Sequence, residues 1–156
     1  MEIKIRRAHE SDADELSQMI CGNAKTTLAP YYTKEQWDVF IKYYSTEALR
    51  NKIRQQIIFC ADSDGVIVGC VGLDSDFVVG FYTHLNYINQ GIGAKMMKHL
   101  EAVALEKNWK EIQLAASPVG LDFYLKNGWR KVKDIIIDHS GVAFEETLMA
   151  KELQAN

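Results

Sequence analysis

The sequence predicts an α+β domain: a mixed, mostly antiparallel central sheet of about seven strands, flanked by helices, with one βαβ unit. Three observations carry this expectation. Two apolar runs, residues 56–61 and 66–73, flank Asp62-Ser63-Asp64-Gly65, and an Asp-Gly turn between such runs is a strong hairpin signal. Residues 77–116 read as strand, glycine-bearing turn, amphipathic helix and strand, a right-handed crossover unit. Two further runs meet around His139-Ser140-Gly141 and form a closing hairpin.

Taken in order, residues 2–8 alternate, with Ile3 and Ile5 on one face and Lys4 and Arg6 on the other, which is a strand of period two. Ser11 reads as an N-cap, with Asp12 and Asp14 suiting the helix dipole. Leu16, Met19 and Ile20 then give an apolar face, and the helix runs to about Cys21 or a few residues beyond. Residues 22–32 read as irregular and hold Pro30, Tyr31 and Tyr32. Thr33 and Gln36 form a capping box for a helix carrying Trp37, Phe40 and Ile41, and Ser45 caps a shorter one with Leu49 and Ile53. Tyr31, Tyr32 and Trp37 are candidates for an apolar, cation-friendly pocket wall.

A third strand, 77–85, follows Asp74-Ser75-Asp76. Residues 91–107 are the best helix in the chain: Ile92, Met96, Leu100 and Val103 share a face, and Lys95, Lys98 and Glu101 lie away from it. Residues 110–116 are a strand expected parallel to the one at 77. A short helix, 121–127, stops at Gly128. Strands at 129–139 and 142–149 complete the sheet.

The 156 residues fit one domain, 1–156, which buries roughly 70% of its unfolded surface. Hydrophobic residues at 47% and charged residues at 25% are ordinary for a soluble globular chain. A net charge of −3 with interspersed signs speaks against nucleic acid or an anionic membrane as the main partner. Cys21, Cys60 and Cys70 are odd in number and lack metal-ligand or CxxC spacing. No secretory signal is visible, and no apolar run approaches the ~18–20 residues needed to span a bilayer. A cytoplasmic protein with no resident metal is expected.

The chemistry concentrates at Gln90-Gly91-Ile92-Gly93-Ala94, directly after a strand and at the start of the best helix. A helix N-terminus offers up to four unpaired N–H groups and roughly half a positive charge, which suits a phosphate. Glycine permits close backbone approach. No Lys-Ser or Lys-Thr follows, so this is not a P-loop. The three spaced glycines of a dinucleotide fold are also missing. Tight packing at Gly91 and Gly93 is the plain alternative.

YTHLNYINQGIGAKMM at 82–97, with FYLKNGW at 123–129, resembles the GCN5-related N-acetyltransferase superfamily, most clearly from residue 56 to 132. The family's acyl-CoA signature is Arg/Gln-x-x-Gly-x-Gly/Ala. Gly91 and Gly93 match its glycines, and Ile88 departs from its first position. Leu85 stands where a proline is common. The resemblance implies that Asn89, Gln90, Gly91, Ile92, Gly93 and Ala94 hold the coenzyme's pyrophosphate. It implies that the backbone of Phe81, Tyr82 and Thr83 pairs with the pantetheine arm as an added strand. That requires the strand at 77 to diverge from the one at 110, and a bulge near Gly80 or Phe81 would do it.

The resemblance further implies an acetyl-CoA-dependent N-acetyltransferase, with acetyl-CoA as co-substrate and a small-molecule or protein amine as acceptor. The amine attacks directly in a ternary complex. Tyr124 is the implied general acid for the leaving thiolate. Ser117 could contact pantetheine or cap the helix after it. Asp74, with Asp76 nearby, could serve as base through water, though both also read as solvated turn aspartates. His84 ranks behind them; His9, His99 and His139 read as surface residues. A non-catalytic acyl-CoA-binding sensor or scaffold is the alternative, and a homodimer is allowed.

Overall fold

A computed structural model describes residues 2–154. Seven strands form one sheet in the order β1-β2-β3-β4-β5-β7-β6. The strands are β1 (Lys4–Arg7), β2 (Ile57–Ser63), β3 (Val66–Asp74), β4 (Phe77–Thr83), β5 (Glu111–Ala116), β6 (Arg130–His139) and β7 (Val142–Glu152). Every neighbouring pair is antiparallel except β4 with β5, as the crossover requires. The helices are α1 (Ala13–Thr27), α2 (Lys34–Tyr43), α3 (Thr46–Gln55), α4 (Ile92–Glu106) and α5 (Leu121–Lys126).

β3 explains the layering. Ile67 through Leu73 is buried on both faces, so this strand must be covered twice. Ile67 and Cys70 pack with Leu16 and Ile20 of α1, while Val68 and Val71 pack with Met96 and Leu100 of α4. Full burial of each such Leu or Ile is worth about 1.5–3 kcal/mol. α4 therefore cannot slide, and its N-terminus is fixed relative to β4.

The first helix is longer than the sequence suggests. It continues through Gly22 to Thr27, so residues 22–27 are not irregular. Glycine in a helix costs about 1 kcal/mol relative to alanine; burial of Asn23, Ala24 and Leu28 just beyond it offsets that. Ser11 is not the cap of this helix: it lies in a 3-10 turn, Glu10–Asp12, ahead of it. The capping box of Thr33 and Gln36 and the Ser45 cap are both present. α5 starts at Leu121, after a turn from Ser117 to Gly120 that holds Pro118.

β4 is bent by design of its sequence. Cys70 faces Tyr82 and Gly72 faces Val79, so an extra residue is accommodated around Gly80 and Phe81. Gly80 adopts φ +58°, which a glycine takes without strain. The bulge expected near Gly80 or Phe81 is present. β4 pairs with β5 at one position, Phe77 with Gln113, and the two strands then separate.

Candidate active site

A cleft of about 910 Å³ opens where β4 and β5 part. One half is built by β4, the N-terminus of α4, the end of β5 and α5. The other half is built by the C-terminal part of α1, by α2 and by the β6–β7 hairpin.

In the first half, α4 begins at Gly91 with φ +78° and no side-chain cap. The N–H groups of Ile92, Gly93 and Ala94 therefore have no partner from a capping side chain, and all three residues line the cleft. Gly91 is needed for its backbone angle: a Cβ there would meet nothing within 4 Å. Gly93 is needed for space, since its Cβ would lie 3.3 Å from Phe81 Cζ and 3.6 Å from Thr83 Oγ1. Backbone angle and close packing thus belong to different glycines. Asn89 and Ile88 also line the cleft; Gln90 is exposed and does not.

The strand edge is more selective than the sequence implies. His84 N–H donates to Val68 O at 2.8 Å. By period-two alternation, the backbone groups of Tyr82 turn toward β3, and those of Phe81 and Thr83 turn toward the gap. Tyr82 therefore supplies its ring, not its backbone, which corrects the expectation for that residue. Thr83 O already accepts from Asn23 Nδ2 at 2.6 Å, and Leu85 N–H donates to Asn23 Oδ1 at 3.2 Å. Asn23 is buried and closes the gap at that end. Asn23→Ala should cost about 1–3 kcal/mol, because buried backbone groups lose their partners. A lower urea midpoint at unchanged m would record it.

α5 places Tyr124 beside the gap. Its ring is held by Phe123, Phe81 and Trp129 at centroid distances of 5.4, 6.1 and 5.9 Å. Its hydroxyl has no hydrogen-bond partner among the described residues, and burial pushes its pKa above that of an ordinary tyrosine. Ser117 Oγ accepts from Gly120 N–H at 3.3 Å in the turn before α5 and lines the cleft; it is not the helix cap, since Gly120 is the N-cap of α5 with no side-chain cap.

In the second half, the loop and hairpin approach each other. Gln36 Nε2 donates to Ala143 O at 2.9 Å, and Ser17 Oγ donates to Tyr44 O at 2.7 Å. These bonds hold α2 between the hairpin and α1. Tyr32 meets Phe144 edge-on at 5.4 Å, and His139 meets Tyr43 at 5.1 Å. Tyr31 points away, 77% exposed, and Trp37 stacks on Phe40 outside the cleft, so of the three expected wall residues Tyr32 alone serves. His139 is not a plain surface residue: it lines the cleft.

Asp74 is exposed at the end of β3 and does not line the cleft. Asp76 accepts from Gln113 Nε2 at 3.1 Å. The carboxylate inside the cleft is Glu146 on β7, half-buried, and burial pushes its pKa up to about 7. Its charge adds to burial in pushing Tyr32 up to about 12, and Asp74 and then Glu146 add to burial in raising Tyr43. Among the described residues that line the cleft, Glu146 is the one carboxylate, and none is lysine or arginine. Sequence alone gave no signal for it: Glu145-Glu146 in a strand reads as solvated charge.

The acetyltransferase (GNAT) domain model matches residues 28–153, and the chain belongs to that family. Solved structures agree in fold. A GCN5-related N-acetyltransferase from Rhodopseudomonas palustris is 20% identical, with 98% of this chain and 97% of that chain covered and a TM-score of 0.89. The PaiA N-acetyltransferase of Thermoplasma acidophilum, solved in complex with coenzyme A, is 24% identical over 97% and 99% of the two chains, with a TM-score of 0.81. Apo YjaB of Escherichia coli is 18% identical over 96% and 97%, with a TM-score of 0.78. No curated protein matches the sequence.

Proposed function

We propose that this protein transfers the acetyl group of acetyl-CoA to a primary amine by direct attack, with Glu146 as base and Tyr124 as proton donor. The reading rests on one observation above all. The open edge of β4, the uncapped start of α4, Tyr124 and Glu146 all face a single cleft. The coenzyme-bound structure of the Thermoplasma protein, which shares the fold, supports the choice of coenzyme.

The residues fit the coenzyme. The free N–H groups of Ile92, Gly93 and Ala94 would take the pyrophosphate, aided by the helix dipole. With no lysine or arginine lining the cleft, this backbone contact carries the recognition, consistent with Ile88 at the signature's first position. The gap-facing edge at Phe81 would take the pantetheine amide as a strand takes its neighbour. Acetyl-CoA supplies an activated thioester. An N–H aimed at the thioester oxygen favours the charge that develops there.

The protons need two handlers. An alkylamine of pKa ~10 is only about one part in a thousand neutral at pH 7. Glu146, with its pKa near 7, is ionised in a useful fraction at neutral pH and can take the proton that leaves the nitrogen. Tyr124 stays protonated and can donate to the departing sulfur. Asp74 remains outside the cleft, so the base role assigned from sequence passes to Glu146.

Calorimetry with acetyl-CoA, together with thiol release over an amine panel, tests the reading. The expected result is saturable binding and amine-dependent release of coenzyme A. Binding without turnover on any amine would instead favour the sensor or scaffold role.

A further inference from the structure

Resting on that reading, the shape and charge of the acceptor half define a substrate class. We infer that the acceptor is a primary amine carried on an apolar, preferably aromatic, body that bears no acidic group. Four observations lead there. The lining is aromatic: Tyr32, Tyr43 and Tyr44 from the α1–α2 side adjoin His139 and Phe144 from the hairpin. These rings are locked by mutual contacts, Tyr32 on Phe144 at 5.4 Å and Tyr43 on His139 at 5.1 Å, so the aromatic lining is preformed. A rigid aromatic lining favours an apolar, preferably aromatic, body.

Charge narrows the class. Glu146 sits among those rings as the cleft's carboxylate, and no lysine or arginine lines the space. An α-amino acid would bring its own carboxylate toward Glu146 with no cation to receive it. An acidic peptide or a phosphorylated amine would meet the same repulsion in a partly dry site. Excess positive charge is disfavoured too. The second ammonium of a polyamine would leave water without a second carboxylate in the lining, since Asp74 lies exposed outside it.

The test is a thiol-release comparison at pH 8 with 2-phenylethylamine, L-phenylalanine, L-phenylalaninamide, spermidine and a lysine-containing peptide. The phenylalanine pair is nearly isosteric, so it separates charge from size. The expected order of kcat/KM puts 2-phenylethylamine first, at least 100-fold above phenylalanine and at least 10-fold above spermidine and the peptide. Phenylalaninamide should exceed phenylalanine at least 10-fold. Val39→Arg places a cation on the half-buried α2 wall and should narrow the amide-over-acid preference at least 10-fold. Turnover led by phenylalanine, spermidine or the peptide would overturn the substrate class and leave the transferase standing. Absence of turnover on every acceptor, with acetyl-CoA still bound, would remove the transferase reading and the class with it.

Discussion

Glu146→Gln should do two opposite things to this protein. Turnover should fall about 10²–10³-fold, the usual worth of a positioned base. The rise of kcat/KM through pH 7 should vanish with it, while acetyl-CoA affinity stays within about two-fold, because the residue lies in the acceptor half. Stability should move the other way. Burial raises the folded pKa of Glu146 from the ordinary carboxylate range to about 7. The folded state therefore holds a proton that the unfolded state has released across that window, and stability falls as pH rises through it. Above pH 7 the ionised carboxylate is a net cost. Because the side chain is only partly buried, solvent screening holds that cost to about 1–2 kcal/mol. Glutamine removes it. Urea unfolding should show the variant more stable than wild type at pH 8 and equal to it near pH 4. A difference that does not change with pH would mean that Glu146 is not a desolvated acid, and the base assignment would fall with it.

Tyr124→Phe should lower kcat about 10–100-fold and leave the KM for acetyl-CoA within about two-fold. The ring is wedged between Phe81, Phe123 and Trp129, and phenylalanine keeps all of those contacts. Stability should therefore stay within about 0.5 kcal/mol. The hydroxyl is what is lost, and it has no other partner among the described residues to distort. A proton donor leaves a further signature: an acetyl thioester whose thiol has a lower pKa needs less help to leave, so it should suffer a smaller loss in the variant. Equal turnover of wild type and variant on both thioesters would take Tyr124 out of the chemistry.

Much of this architecture was legible because its signals are local. The Asp64-Gly65 turn, the Thr33–Gln36 capping box and the amphipathic stretch of α4 each declare an element within a few residues. The strand–glycine–helix order likewise marked the uncapped helix start that lines the cleft, and Gly80 marked where β4 bends. What escaped was set by distant contacts. α1 passes through Gly22 because Asn23, Ala24 and Leu28 find burial on the far side, which no propensity could announce. The insertion of β7 between β5 and β6 is a matter of pairing across the sheet. Glu146 becomes an unusual acid because α2 and the hairpin close around it, and the two segments meet through bonds such as Gln36 to Ala143. Asp74 looked better in the sequence because it neighbours β4, yet adjacency along the chain is a poor guide to which carboxylate is enclosed.

The lone β4–β5 rung at Phe77 and Gln113 has a mechanical meaning. The sheet is a book with two covers, β1 to β4 and β5 to β6, stitched at one end of the spine. On the bulged side no further rung pairs them, and the covers are joined through core packing that includes α4. A molecule laid along that open spine would serve as the missing stitches, trading hydrogen bonds with one cover while packing on the other. Cohesion of the fold and retention of such a guest would then be a single quantity counted from two directions.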